Sequence, residues 1–127
     1  IMEDLKNVGA KRVLKLNVSG PFHSPMLAQA GEKLKKDLEK VNITSPHIPY
    51  YANYTAELID KNTSTEYIKS NLSKQVSGSV RFEQSVRKLI ESGFDRFIEI
   101  GPGDTLTGFV KRIAKDMKVE GLVYEKI

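Results

Sequence analysis

A short apolar run ends in a glycine-proline-glycine turn over residues 94–103. Its sequence is Phe94-Asp95-Arg96-Phe97-Ile98-Glu99-Ile100-Gly101-Pro102-Gly103. Phe94–Ile100 has the length and the flanking glycines of a buried strand. Helical periodicity follows from about Asp104 to Met117, and a final strand is predicted over Val119–Tyr124. A strand, a turn, a helix and a second strand in this order indicate an α/β fold.

Helices and strands also alternate upstream of this stretch. The first predicted elements are a helix over Ile1–Val8 that Gly9 ends, a strand over Arg12–Val18, a helix after a Ser24-Pro25 cap, and a strand over Ile48–Ala52. A polar loop over Asp60–Ser64 then ends in helix-cap residues, and a short helix at Tyr67–Leu72 and a helix that Ser79 caps and Gly93 ends follow it. Because Ile1 is not an initiator and no capping residue precedes the first helix, we expect the chain to begin inside an element.

The composition excludes several classes of protein. The chain has 127 residues and no cysteine, which rules out disulfides, thiolate metal sites and cysteine nucleophiles. Its net charge of +4 is mild and lacks the dense basic blocks of a nucleic-acid binder, so we expect no nucleic-acid partner. No run approaches the roughly 18 apolar residues of a membrane span. We therefore expect no membrane contact and a cytoplasmic location.

Few residues have the spacing of a chemical site. His23 lies in a turn between a predicted strand and a predicted helix, a common position for catalytic groups, whereas His47 is better explained as a surface or packing residue. The turn at 101–103 precedes a helix and is able to cradle a phosphate, but Pro102 removes one amide donor, which favours a structural turn. The chain has no Gly-x-Ser-x-Gly elbow and no metal-ligand spacing.

Three blocks of sequence resemble the bacterial malonyl-CoA:acyl carrier protein transacylases, in the right order and over nearly the whole chain. The first is Asn17-Val18-Ser19-Gly20-Pro21-Phe22-His23-Ser24-Pro25-Met26, the second is Gln75 with Val80, Arg81, Phe82 and Ser85, and the third is Phe97-Ile98-Glu99-Ile100-Gly101-Pro102-Gly103 with Leu106-Thr107-Gly108 and Lys111-Arg112.

The resemblance implies the C-terminal part of a larger enzyme. Residues 1–18 would end a ferredoxin-like small subdomain, and residues 19–127 would form the C-terminal part of an α/β-hydrolase-like large subdomain. The nucleophilic serine and the arginine that binds the malonyl carboxylate belong to upstream segments that this chain lacks. We therefore expect the chain alone to be inactive, and the complete enzyme to be a monomer without a cofactor or a metal.

The resemblance also assigns roles to residues of this chain. His23 would be the catalytic base, and the backbone carbonyl of Gln75 would hold its second ring nitrogen. Phe22 would exclude an α-methyl group and so select malonyl over methylmalonyl, although it would also suit packing of the turn into the core. The partners implied are malonyl-CoA and acyl carrier protein, which is acidic. Candidate docking residues for that protein are Lys11, Arg12, Lys111 and Arg112.

Two other functions stay open at this point. The first is a noncatalytic interaction module that docks acyl carrier protein. An acyltransferase domain of a larger synthase would use the same chemistry in a longer chain.

Overall fold

The computed structural model describes residues 2–14 and 20–127, and this part of the chain mixes helices with small sheets. The helices are α1 (Met2–Asn7), α2 (Ala28–Glu39), α3 (Thr65–Lys74), α4 (Phe82–Glu91) and α5 (Thr105–Asp116), and a single turn of 3-10 helix covers Pro25–Leu27. The strands are β1 (Tyr50–Tyr51), β2 (Leu58–Ile59), β3 (Arg96–Glu99) and β4 (Val123–Lys126).

The unit β3–α5–β4 confirms the strand–helix–strand prediction. β3 and β4 are parallel, with Arg96 opposite Val123 and Glu99 opposite Lys126. Parallel neighbours need a crossover, and α5 supplies it while packing against α4. The buried residues between these two helices are Val86, Ile90, Val110, Ile113 and Ala114. One of the two hydrophobic cores of the described residues therefore lies between α4 and α5, beside β3.

A second core joins the other elements. β1 and β2 form an antiparallel pair, and Ala52, Ile59 and Ile68 are buried beside it. α2 packs along α3, and the only buried residue of α2 is Gly31. A Cβ at residue 31 would lie 2.9 Å from the backbone oxygen of Ser73, so the two helix backbones approach each other at this point. This contact sets the position of the end of α3.

Several predicted helix boundaries are confirmed. The Ser64 side chain accepts a hydrogen bond of 3.2 Å from the amide of Tyr67 and so caps α3. Gly9 and Gly93 follow α1 and α4 with φ of 95° and 87°, the left-handed conformation that glycine adopts at little cost.

Other predicted boundaries are wrong. α4 begins at Phe82 after Arg81, so Ser79 does not cap it. Ser24 is the N-cap residue before Pro25, as predicted, but its hydroxyl donates to the oxygen of Pro21 at 2.7 Å and so stabilises the preceding turn rather than an amide of the helix that follows. The strand expected over Ile48–Ala52 is only two residues long, and its partner β2 was not predicted.

Three of the predicted strands differ from the structure. β3 is shorter than the predicted strand Phe94–Ile100. It is also not buried, because its exposed and half-buried residues alternate and Ile98 is 47% exposed. The last strand lies over Val123–Lys126 rather than Val119–Tyr124. Residues 12–14 are not in a strand, and the remainder of the strand predicted over Arg12–Val18 lies outside the described residues.

Candidate active site

His23 lies in a tight turn that orients its backbone unusually. Its φ is 56°, a left-handed value that is uncommon for a residue with a side chain. The hydrogen bond from Ser24 to Pro21 closes the turn, and Pro25 begins the short 3-10 helix that leads into α2. The backbone amide of His23 donates to the oxygen of Val76 at 3.3 Å. Strain of this kind persists only when surrounding contacts hold it, and here they fix the side chain of an exposed histidine.

The His23 ring contacts two backbone oxygens. Nδ1 lies 2.9 Å from the oxygen of Gln75 and 3.2 Å from the oxygen of Gly78. The first is the contact that the family resemblance implies. Since carbonyl oxygens only accept, Nδ1 carries the proton, and the neutral ring keeps its lone pair on Nε2. The arrangement therefore presents a base at Nε2.

The Gln75 oxygen belongs to the last carbonyls of α3, and the Gly78 oxygen lies in the turn that follows the helix. Gln75 is the residue that ends the helix, and the amides of Ser77 and Gly78 donate back to the oxygen of Lys74 at 3.3 and 2.9 Å. The last carbonyls of a helix lack partners within the helix and carry partial negative charge. They suit a ring that becomes an imidazolium when Nε2 takes a proton.

The side chain of Glu99, the last residue of β3, reaches the start of α5. Its carboxylate oxygens accept hydrogen bonds from the amides of Leu106 at 3.1 Å and Thr107 at 2.8 Å. Hydrogen bonds from the side chain and the amide of Thr107 lower the pKa of Glu99 below its ordinary value of 4.5. A carboxylate thus already accepts two amides at this helix start, and the amide of Gly101 donates to the oxygen of Ile127 at 3.2 Å, which favours a structural turn at 101–103 over a phosphate cradle.

Phe22 and His47 are both exposed. The Phe22 side chain is 64% exposed, so it does not pack into either core of the described residues. It remains a candidate for contact with a ligand, because it immediately precedes His23. His47 lies on the surface before β1, far along the chain from the turn that holds His23.

The four basic candidates lie on two separate segments. Lys11 and Arg12 are exposed and precede residues 15–19, which lie outside the described residues. Lys111 and Arg112 are exposed on α5, which packs against α4 and β3, whereas His23 lies against the end of α3.

The sequence assigns no role to two groups that the structure places in hydrogen bonds. The oxygen of Gly78 is a second acceptor for His23, and the carboxylate of Glu99 caps α5. A backbone oxygen leaves no side-chain signal. A glutamate that ends a strand before a glycine-rich turn and a helix is, however, a signal for a cap of this kind.

Grouped metal ligands and long apolar helices are both absent from residues 2–14 and 20–127. In that part of the chain, no three or more histidine, aspartate or glutamate side chains are grouped so as to hold a metal ion. No helix there has both the length and the apolar character that crossing a bilayer requires.

Comparison with known proteins identifies the family to which this chain belongs. The acyl transferase domain family matches residues 1–125, and this chain belongs to that family. A relative from Bacillus subtilis, malonyl CoA-acyl carrier protein transacylase, is 42% identical over 113 residues, which are 89% of this chain and 35% of that protein.

Solved structures give the same result for the fold. The malonyl CoA-acyl carrier protein transacylase of Clostridium perfringens is 40% identical, with a TM-score of 0.82 over 99% of this chain and 37% of that one. A malonyl-transacylase solved in complex with a type II PKS acyl carrier protein is 32% identical, with a TM-score of 0.84 over 98% of this chain and 38% of that one. The chain thus spans little more than a third of the length of these relatives.

Proposed function

We propose that a full-length protein containing this chain transfers malonyl from malonyl-CoA to the phosphopantetheine thiol of acyl carrier protein in fatty acid biosynthesis. The observation that carries the proposal is the His23 ring, whose Nδ1 is bound to the oxygens of Gln75 and Gly78 and whose Nε2 is left as a base. The similarity to malonyl-transferring relatives supports the choice of acyl group.

The reaction uses a serine that is not part of this chain. His23 Nε2 takes the serine proton as the serine oxygen attacks the malonyl thioester, and it then gives that proton to the departing coenzyme A thiolate. In the second half, Nε2 takes the proton of the pantetheine thiol as its sulfur attacks the acyl-serine. The proton returns to the serine oxygen when the malonyl group leaves.

A neutral acceptor at Nδ1 is sufficient for this chemistry. In serine proteases a carboxylate holds the histidine while an amide is cleaved. A thioester has a better leaving group than an amide, so the partial charge of the Gln75 oxygen suffices for the imidazolium that forms.

The remaining assignments extend the same proposal. Phe22 would meet the α-carbon of the acyl group beside His23 and disfavour an α-methyl substituent. Residues 1–18 would belong to a ferredoxin-like small subdomain and residues 19–127 to an α/β-hydrolase-like large one. The full-length enzyme would be a monomer that docks acyl carrier protein through basic residues.

Removal of the His23 side chain tests the proposal directly. In a full-length protein, His23→Ala should lower kcat for malonyl transfer by about 10²–10⁴-fold, because general-base catalysis contributes on that order. Gln75→Ala should have a much smaller effect, since its backbone oxygen survives the substitution. His47→Ala is the matched control, because His47 is also an exposed histidine and should transfer malonyl at the wild-type rate.

Two results would contradict these assignments. If His23→Ala and His47→Ala were equally active, His23 would not be the base. If Gln75→Ala were as damaging as His23→Ala, the Gln75 side chain rather than its oxygen would be needed.

A further inference from the structure

We propose that Gly78 and Tyr54 are positioning residues for His23, an inference that rests on the proposed function and adds a second support to its base. The oxygen of Gly78 is the second acceptor of the Nδ1 proton. The ring of Tyr54 lies against the α-carbon of Gly78 and holds that oxygen in place. Neither residue touches the reacting atoms, so both act through His23.

The second acceptor restricts the orientation of the imidazole ring. With the Gln75 oxygen alone, the ring is free to swing about a single hydrogen bond of 2.9 Å. An additional oxygen at 3.2 Å, three residues further along the chain, leaves Nδ1 between two fixed acceptors. Two acceptors also favour the tautomer with its proton on Nδ1, which is the one that leaves Nε2 as a base.

The close approach of Tyr54 explains why residue 78 is a glycine. The φ of Gly78 lies outside the left-handed region, so its backbone conformation alone would tolerate a side chain. A Cβ at this position would instead overlap the Tyr54 ring and lie 3.0 Å from the backbone oxygen of Lys74. An alanine would therefore have to displace either the ring or the segment that carries the two acceptor oxygens.

The Tyr54 ring is held by a loop that is tied down at several points. Ala56, which is buried and has a φ of 53°, donates its amide to the oxygen of Ala52 at 2.8 Å. The oxygen of Asn53 accepts from the amide of Arg81 at 2.7 Å, and the oxygen of Ala56 accepts from Lys88 Nζ at 2.6 Å. The loop at 52–56 is thus bound to the chain that follows Gly78. These hydrogen bonds resist movement of the Tyr54 ring. A larger residue 78 would therefore displace the segment that carries the acceptor oxygens.

The experiment compares three variants of a full-length protein, Gly78→Ala, Tyr54→Ala and the double variant. Gly78→Ala should lower kcat about threefold to tenfold, the range expected for loss of one hydrogen bond, with an unchanged KM for malonyl-CoA. Tyr54→Ala alone should lower kcat by less than Gly78→Ala, because the Gly78 oxygen stays in place but loses the ring that restrains it. The double variant should match Tyr54→Ala, because removing the ring relieves the overlap. Ser79→Ala is the control, because Ser79 is exposed and adjacent to Gly78, and this substitution removes an atom rather than adding one.

A second measurement separates positioning from general damage. The nitrogen-15 shifts of the His23 ring report which nitrogen carries the proton, and Gly78→Ala should raise the fraction with the proton on Nε2. The proposal is overturned if Gly78→Ala matches Ser79→Ala in kcat, if the tautomer fraction does not change, or if the double variant is slower than Gly78→Ala. A wild-type protein without malonyl transfer would overturn the proposed function, whereas the nitrogen shifts would still test the positioning.

Discussion

Glu99 is a single residue on which the start of a helix depends. Its carboxylate accepts the amides of Leu106 and Thr107 in the first turn of α5. Helix starts carry partial positive charge and favour an anion. Ionised Glu99 therefore stabilises the fold, which agrees with its lowered pKa.

The lowered pKa of Glu99 predicts a loss of stability in acid. Because the folded pKa lies below the ordinary value of 4.5, the contribution of Glu99 is fully present above about pH 4.5 and is lost as the pH falls through the folded value. Glu99→Gln keeps an acceptor oxygen but has no charge. We expect the variant to unfold at lower urea than the wild type at about pH 7, and the difference to shrink at about pH 3.

The matched control for this measurement is Glu91→Gln, which removes the charge of an exposed glutamate at the end of α4. A difference between Glu99→Gln and wild type that stays constant over the whole pH range would contradict the assignment. It would mean that the carboxylate charge contributes nothing to the start of α5.

Single residues differ in how well the sequence predicts their roles. His23 and Gln75 are assigned through the family resemblance, and the structure brings them together. The role of Gly78 depends on a ring that precedes it by 24 residues in sequence, and no local pattern encodes that approach. Exposure of Phe22 was not predicted either, because an aromatic residue in a turn suits a core and a ligand equally well.

At the scale of elements, the contact between α2 and α3 determines where the acceptor oxygens lie. Gly31 brings the two helices close, and α3 ends at the residues that hold His23. Gly31→Ala would place a Cβ 2.9 Å from a backbone oxygen, an atom that does not move without its helix. We expect the free energy of unfolding to fall by about 1–3 kcal/mol, as is typical of overpacking, in a urea titration of a full-length protein.

Gly108→Ala is the control for this change, because Gly108 is also helical and a Cβ there meets no atom within 4 Å. The alanine should stabilise that variant by about 0.5–1 kcal/mol, because it reduces the conformational freedom that the unfolded chain loses on folding. If Gly31→Ala were stabilising too, the close approach of α2 and α3 would not limit the size of residue 31.

Helices were easier to predict than strands in this chain. α4 and α5 carry apolar residues at helical spacing over ten or more residues, and both exist near their predicted bounds. β1 and β2 are two residues each, too short for an alternating pattern to appear. The predicted start of α4 is wrong because Ser79 is a common capping residue, whereas the amide of Arg81 donates to the oxygen of Asn53 and the helix begins only at Phe82.

At the scale of the whole molecule, several large apolar side chains are exposed. Ile48 is 81% exposed and Ile100 is 80% exposed, and an apolar groove of about 640 Å³ is lined by Tyr50, Leu58 and Phe94 among others. Since the chain spans 35–39% of its curated relatives, we propose that the remainder of a full-length protein covers these surfaces. The sequence pattern of Phe94–Ile100 predicted burial, and it would fit a larger sheet than the described residues form.

Charge is the second property of the whole molecule that bears on function. The net charge is +4, and Lys111, Arg112, Lys115 and Lys118 lie together at the second half of α5 and just beyond it. Lys111 Nζ lies 5.2 Å from the centre of the Tyr124 ring, which limits its mobility. A group of neighbouring cations suits an acidic protein better than an isolated charge does, because the potentials of the members add.

On the proposed function, a full-length protein attracts acyl carrier protein either through these four cations or through net charge alone. Changing Lys111 and Arg112 together to glutamate alters the charge by four units, and so does the same change at Lys33 and Lys36, two exposed lysines of α2. If the four cations dock the partner, only the first variant should raise KM for acyl carrier protein, on the order of tenfold at low salt, and flatten its salt dependence. Steady-state transfer assays over a range of salt concentrations measure both effects. Equal changes in the two variants would assign the attraction to net charge, and an unchanged KM in the first would exclude Lys111 and Arg112 from the interface.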